Sequence, residues 1–173
     1  MKIAFAFVIM TMMIPGATML IPLYKIFMRL GWLNTHWSLI IPSIFANTFG
    51  TFLFRQFFLT VPKELEGAAR IDGCSEFRIY WEIMMPLARS VIVVLALLAF
   101  LWNWNDFIRP LIFINSVEKM TVTLAIQFFH GQFINYRNLT CAAATIGVVP
   151  IIVLYIFIQR YLIQGIILSG LKF

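Results

Sequence analysis

The chain has 173 residues, 62% of them hydrophobic and only 12% charged, with a formal net charge of +6 at pH 7. A soluble globular domain is nearer half apolar and about a quarter charged, so apolar surface on this scale needs a non-aqueous solvent and the default class is a membrane protein. The cations are scattered along the chain rather than gathered in a patch, which argues against nucleic acid as a partner.

A membrane-crossing helix takes roughly 20 mostly apolar residues. Residues 3–23 supply the first such stretch, uncharged despite Pro15, Gly16 and Pro22. Lys2 ahead of it gives the look of a signal peptide. The run is too long for one, however, and no small-residue cleavage site closes it before Pro22 and Lys25, so it reads as a span. Residues 37–54 form the second stretch, with Pro42 and Gly50 inside it. Residues 90–108 form the third, which meets a carboxylate only near its end, at Asp106. Residues 139–158 form the fourth, with Gly147 and Pro150 as expected bends. Spanning helices tolerate such residues because neighbours re-satisfy the freed backbone groups. The expectation is an all-α polytopic protein of about four transmembrane helices in one domain, 1–173. A short loop at 31–36 and a longer one at 110–138 lie on one side.

Between the second and third stretches the pattern changes. Residues 62–86 carry Lys63, Glu64, Glu66, Arg70, Asp72, Glu76, Arg78 and Glu82. Pro62 marks an N-terminal boundary, and Glu64 and Glu66 fall in the first turn, where acidic groups suit the helix dipole. Leu65, Ala68, Ala69 and Ile71 alternate with charge at close to helical spacing. Asp72-Gly73 then reads as a stop, since Gly is the usual residue just past a helix end. Phe77, Tyr80, Trp81 and Met84 give a second amphipathic segment, closed by Pro86. The small residues Gly67, Ala68 and Ala69 permit close approach by another helix or a protein groove. Two readings stand at this point. One is an interfacial helix lying on the membrane; the other is docking against a partner protein, which the near balance of acids and bases suits.

Counting cations orients the chain. With the charged run cytoplasmic, that side holds Lys2, Arg55, Lys63, Arg70, Arg78, Arg89, Arg160 and Lys172, and the other holds Lys25, Arg29, Arg109, Lys119 and Arg137. Eight against five places both ends and the charged run inside. Cys74 and Cys141 sit in different surroundings and have no metal-ligand spacing, so neither a disulfide nor a metal site is expected. His36 and His130 are lone histidines, which makes acid–base chemistry improbable. No Gly-rich phosphate loop with Lys-Ser or Lys-Thr is present, so ATP binding belongs to another chain.

The charged run resembles the EAA loop of permease subunits of binding-protein-dependent ABC importers, in the residues Glu66, Ala68, Ala69, Asp72, Gly73, Ile83 and Pro86. The segments "IPGATMLIPLYKIF", "LGWLNT", "FLFRQFFLTVPKEL", "WNDFIRPL" and "QRYLIQGIILSGLKF" are each similar to the maltose-type carbohydrate permease subunit, in the family's order. The resemblance implies a multi-pass subunit of the bacterial or archaeal cell membrane, part of a sugar pathway that works by alternating access. Its implied partners are a second permease subunit, an ATPase dimer that binds ATP and Mg, and an extracytoplasmic sugar-binding protein. The loop would be a coupling helix seated in a cleft of the ATPase, with Glu66, Ala68, Ala69, Asp72 and Gly73 as its docking residues. Gly67 departs from the pattern, standing where the family usually has a glutamate. The family also has six spans, so its first two are expected to be missing here, through a fragment, a shortened or misplaced start, or a separate peptide. The alternative to a transporter subunit is then a truncated, non-transporting remnant or an assembly partner. An intramembrane enzyme is set aside, because the apolar stretches offer no paired polar catalytic residues.

Two further groups stand out. Trp104, Asn105 and Asp106, with Trp102, read as an aromatic belt with an interfacial Asp106–Arg109 pair. With the resemblance, they read instead as a packing or gating position at the pathway. The segment "FFHGQFINYRN" is rich in aromatics and amides. The resemblance makes His130, Gln132 and Tyr136 candidate contacts to the binding protein, against the plainer reading of an ordinary outer loop.

Overall fold

The computed structural model describes residues 2–45, 47–127 and 137–170, and every regular element among them is helical. Two stretches are long and apolar enough to cross a membrane, Trp37–Thr60 and Arg137–Gln159. Two more qualify as bent pairs. Phe5–Met12 meets Gly16–Leu30 at 91°, and Glu76–Leu87 meets Arg89–Trp104 at 68°. Two to four spans result, the upper figure counting each bent pair as one.

The first pair consists of α1 (Lys2–Met12), a 3-10 turn (Gly16–Met19) and α2 (Leu20–Leu30). The break falls at Pro15, whose φ of −60° and ψ of 129° are extended. Pro22 sits in the first turn of α2, where its missing N–H costs nothing. Gly31, at φ 68°, ends α2; the Trp32 N–H reaches the Phe27 carbonyl at 2.8 Å and the two rings lie 6.0 Å apart. This is the glycine cap in which the chain folds back across the last turn.

The second stretch is two helices, α3 (Trp37–Phe45) and α4 (Thr48–Thr60). Pro42 lies inside α3 without ending it. The interruption comes instead at Asn47, at φ −85° and ψ 65°, whose Oδ1 caps α4 by accepting the Gly50 N–H at 2.8 Å. Gly50 makes this cap possible, because a Cβ there would lie 2.8 Å from that oxygen. α1 packs antiparallel on α4: Thr11 meets Thr48, Phe5 stacks on Phe52 at 6.2 Å, and the Arg55 guanidinium lies 3.9 Å from the Phe5 ring centroid.

After α4 come α5 (Lys63–Ile71), α6 (Glu76–Leu87), α7 (Arg89–Trp104), α8 (Ile108–Phe113), a 3-10 turn (Val117–Lys119), α9 (Val122–Gln127) and α10 (Arg137–Gly170). α10 packs along α7 and runs as one helix through Gly147 and Pro150, where the sequence led us to expect bends. α7 ends at Trp104, so Asp106 belongs to the following loop rather than to the span.

Few side chains are buried. One cluster joins α2 to α8: Phe113 is wholly buried and packs edge-on against Phe27 at 5.2 Å. Most large apolar side chains of α1 and of the described part of α10 are exposed, with Ile3, Ile146 and Phe157 each about two-thirds exposed or more, while those of α4 are mostly half-buried. Apolar surface this extensive needs lipid or other helices against it.

Candidate functional site

The charged segment folds into a knob. α5 starts after Pro62, with Glu64 and Glu66 in its first turn, and ends at Asp72. Gly73 takes φ 78°; its N–H meets the Arg70 carbonyl at 3.1 Å, and the Cys74 N–H meets the Ala69 carbonyl at 3.0 Å. These bonds satisfy carbonyls that the end of α5 would leave bare. Ser75 restarts the helix by accepting the Arg78 N–H on its hydroxyl, at 3.3 Å. Arg70 bridges the bend, 2.9 Å from Glu76 and 4.0 Å from Glu66. Arg78 pairs with Glu82 at 2.8 Å; that hydrogen bond, then the charge of Glu82, raises the guanidinium pKa above an already high value. Exposed pairs of this kind contribute little to stability.

The knob is fastened by apolar contacts. Ala69, Ile79 and Met84 are buried together, with Phe58 and Val61 from the end of α4 and Cys74 and Ile83 packed around them. Residues 79–84 form a π-helical turn. On an α-helix, residues five apart point about 140° from each other. The wider turn brings Ile79 and Met84 onto one face, over Ala69. Phe77, Tyr80 and Trp81, expected as the apolar face of the second segment, point outward instead.

Of the residues proposed to meet an ATPase, Ala68, Asp72 and Gly73 are exposed, Glu66 is half-buried, and Ala69 is buried inward. Gly67 is exposed and has open space where a side chain would stand. Ile71 at 88% and Phe77 at 74% exposure are the barest apolar groups of the knob, and the sequence reading did not single them out as contacts.

At the opposite ends of α3 and α7, Arg109 is the hub of a polar network. Its Nε pairs with Asp106, and its terminal nitrogens donate to Ser43 Oγ and Asn103 Oδ1, each at 3.1 Å. Ser43 also donates to Asn103 Oδ1 at 2.7 Å. Three helices, α3, α7 and α8, are thereby joined. Trp104 joins others: its indole N–H donates to the Gly147 carbonyl of α10 at 3.0 Å, and its own carbonyl accepts the Thr123 hydroxyl of α9 at 2.6 Å. Asn105 bonds back to its own helix, at Leu101. A groove of about 400 Å³ beside Arg109 is lined by Ser43, Asn103, Asp106, His36 and Thr121 among others.

Asn34 entered the sequence reading only as part of "LGWLNT", with no role given to it. At φ 57°, its side-chain oxygen accepts the N–H groups of Asn115 and Ser116 and the Ser116 hydroxyl, at 3.1, 3.0 and 2.7 Å. Its carbonyl accepts Lys119 Nζ at 2.9 Å, and its N–H meets the Phe113 carbonyl at 2.7 Å. The one available signal was the residue type, since Asn tolerates the left-handed region better than most. His130, Gln132 and Tyr136 lie outside the described residues. Among the described residues no His, Cys, Asp and Glu gather as a metal-holding group.

Comparison with known proteins gives a consistent picture. The arabinooligosaccharides transport system permease protein AraQ of Halalkalibacterium halodurans is 36% identical over 168 residues, covering 97% of this chain and 60% of that protein. The probable starch degradation products transport system permease protein AmyC of Thermoanaerobacterium thermosulfurigenes is 36% identical, over 93% of this chain and 59% of its own. The sn-glycerol-3-phosphate transport system permease protein UgpE of Brucella abortus is 30% identical, over 94% and 58%. The chain thus spans about three fifths of the length of these relatives. A bacterial ABC transporter involved in the import of the acidic polysaccharide alginate shares the fold, with a TM-score of 0.76 at 22% identity over 92% of this chain and 61% of that one. Residues 2–168 match the family described as the inner membrane component of binding-protein-dependent transport systems, and the chain belongs to that family.

Proposed function

We propose that this chain is a membrane permease subunit of an ATP-driven, binding-protein-dependent sugar importer, and that the knob at 63–87 is its coupling element. The observation that carries the reading is the knob itself. A rigid helix end with five acids against three cations, and with exposed Ile71 and Phe77, is poorly suited to lying on anionic lipid headgroups and well suited to a protein cleft. The acids Glu64, Glu66, Asp72 and Glu76 on it discourage binding to an anionic membrane surface. Sugar is the favoured cargo because relatives named for arabinooligosaccharides and for starch degradation products match nearly the whole chain. The chain would work in the cell membrane beside a second permease subunit, above an ATPase dimer that holds ATP and Mg, and receive its cargo from an extracytoplasmic binding protein.

The test is gentle detergent purification of the tagged chain from its own membranes, with co-purifying proteins identified by mass. An ATPase and a second permease should be recovered, with ATP hydrolysis stimulated by sugar-loaded binding protein. Recovery of the chain alone, or hydrolysis indifferent to sugar, overturns the reading.

A further inference from the structure

α1 and α4 pack antiparallel along one stripe of α4, formed by Thr48, Phe52 and Arg55 at helical spacing. Thr48 meets Thr11, their hydroxyls 3.3 Å apart, and Phe52 stacks on Phe5 at 6.2 Å. Arg55 follows on the same stripe, with its guanidinium carbon 3.9 Å from the centroid of the Phe5 ring. The hydroxyl and ring contacts fix the register, which sets Lys2 of α1 level with residues 55–57 of α4. Lys2 and Arg55 are the only charged residues in these two helices. Two cations therefore share one level of the pair, with no acid on either helix.

The depth of that level follows from the membrane-crossing stretch Trp37–Thr60, in which Arg55 has five residues after it. Five residues of helix are about 7.5 Å, so Arg55 stands near the edge of the hydrocarbon, on the side where the knob lies. Its side chain is half-buried, and among the described residues it has no carboxylate within ion-pair distance and no hydrogen-bond acceptor. The acids nearest in sequence stand on α5, where Glu66 faces Arg70 at 4.0 Å. The Phe5 ring offsets only part of the guanidinium charge, and an arginine at this depth is rarely left without a polar or anionic partner. Leu59, one turn further along the stripe, is largely exposed, as is Ile3 on α1. Bare apolar surface thus flanks two cations at the level of the lipid headgroups.

We propose that Arg55, with the charge of Lys2 at the same level, binds the phosphate of an anionic phospholipid in the leaflet on the knob's side. Phe5 holds the guanidinium plane, its forked N–H groups suit phosphate oxygens, and Leu59 meets the first acyl carbons. Basic positions between membrane helices recognise headgroups in this way. One phosphate shared by two cations ties α1 to the end of α4 from which the knob continues. The proposal needs only that the chain sits in a membrane, which its family supplies, and it stands whether or not the knob meets an ATPase.

The experiment purifies the tagged chain in mild detergent, with the proteins that accompany it. Dioleoyl phosphatidylglycerol, dioleoyl phosphatidylcholine and inorganic phosphate are each titrated in, and adducts are counted by native mass spectrometry. The difference between the unaltered chain and its variants isolates this site from other bound lipid. Arg55→Gln and Lys2→Gln should each weaken phosphatidylglycerol binding about fivefold, and Arg55→Lys, which keeps the charge, by less. Phosphatidylcholine binding should be the same in all of them. Equal loss of both lipids, or phosphatidylglycerol binding unchanged in Lys2→Gln and Arg55→Gln, overturns the site. Displacement of the lipid by an equal concentration of inorganic phosphate overturns it too, since the site would then take a free anion. Loss of a co-purifying protein from Arg55→Gln, with lipid binding intact in Lys2→Gln, marks Arg55 as a protein contact and overturns it likewise. If Arg55→Gln fails to assemble, Lys2→Gln decides alone, and it must still lose about fivefold.

Discussion

The two glycine-capped bends, at Gly31 and at Gly73, are nearly the same device at opposite ends of the molecule. In each, the glycine takes a left-handed φ and the next N–H reaches back five residues, from Trp32 to Phe27 and from Cys74 to Ala69. The two chains of contacts leading away from them are unlike. Beyond Gly31 the backbone is stitched through Asn34 and His36 to residues 81 to 85 positions away. Beyond Gly73 the bend is held by neighbours in sequence, and its face is left bare. One end is closed by tertiary hydrogen bonds, the other is folded locally and presented. On the coupling role proposed above, a surface that meets a partner gains from the second arrangement, since it is shaped before the partner arrives.

Substitutions that sharpen this contrast range over several kcal/mol. Arg109→Ala should cost the most, about 3 kcal/mol, because it leaves the largely buried Asp106 carboxylate without its cation and unties three helices. Denaturant unfolding of the purified complex in mixed micelles measures it, and a loss near zero would mean that the hub is dispensable. Asn34→Ala should cost about 2 kcal/mol, stranding two backbone N–H groups and straining a positive φ. Asn34→Asp, which keeps the acceptor, should stay within about 0.5 kcal/mol by the same measurement. Gly31→Ala and Gly73→Ala should each cost about 1 kcal/mol, equally, since neither glycine has an atom within 4 Å of an added Cβ and only the backbone is strained. Unequal losses would show that the stitching at one end alters the cap itself. Gly67→Glu should leave stability within about 0.5 kcal/mol, because the added side chain meets nothing. Its readout is sugar-stimulated ATP hydrolysis, expected to rise unless Glu66 already fills the role.

Legibility in the sequence tracked the range of the interactions. The stop at Asp72-Gly73, the acidic first turn of α5 and the apolar runs are local, and each could be read from a dozen residues. The Arg109 hub could be read only in part. Asp106 lies three residues from Arg109, but Ser43 and Asn103 join it across 66 and 6 positions. The role of Asn34 was invisible for the same reason. The interruption at Asn47 was hidden in another way. Pro42 and Gly50 are the obvious breakers in that stretch, yet α3 runs through the proline and the glycine serves the asparagine cap. Likewise the π-turn left Phe77, Tyr80 and Trp81 outside while Met84 went inward with Ile79, since periodicity at 3.6 residues cannot anticipate a locally wider winding.

On the coupling role proposed above, the cluster of Ala69, Ile79 and Met84 has a mechanical meaning. It bonds α5 sideways to the end of α4, through Phe58 and Val61, while α6 continues from it into α7. A load applied at Ile71 is therefore divided between two membrane segments. The first carries it straight along its axis, and the second carries it around a 68° elbow at Ala88, a residue with no exposed surface and no room to give. A push along one segment and a turning moment on the other, delivered by a single stroke, amount to a crank.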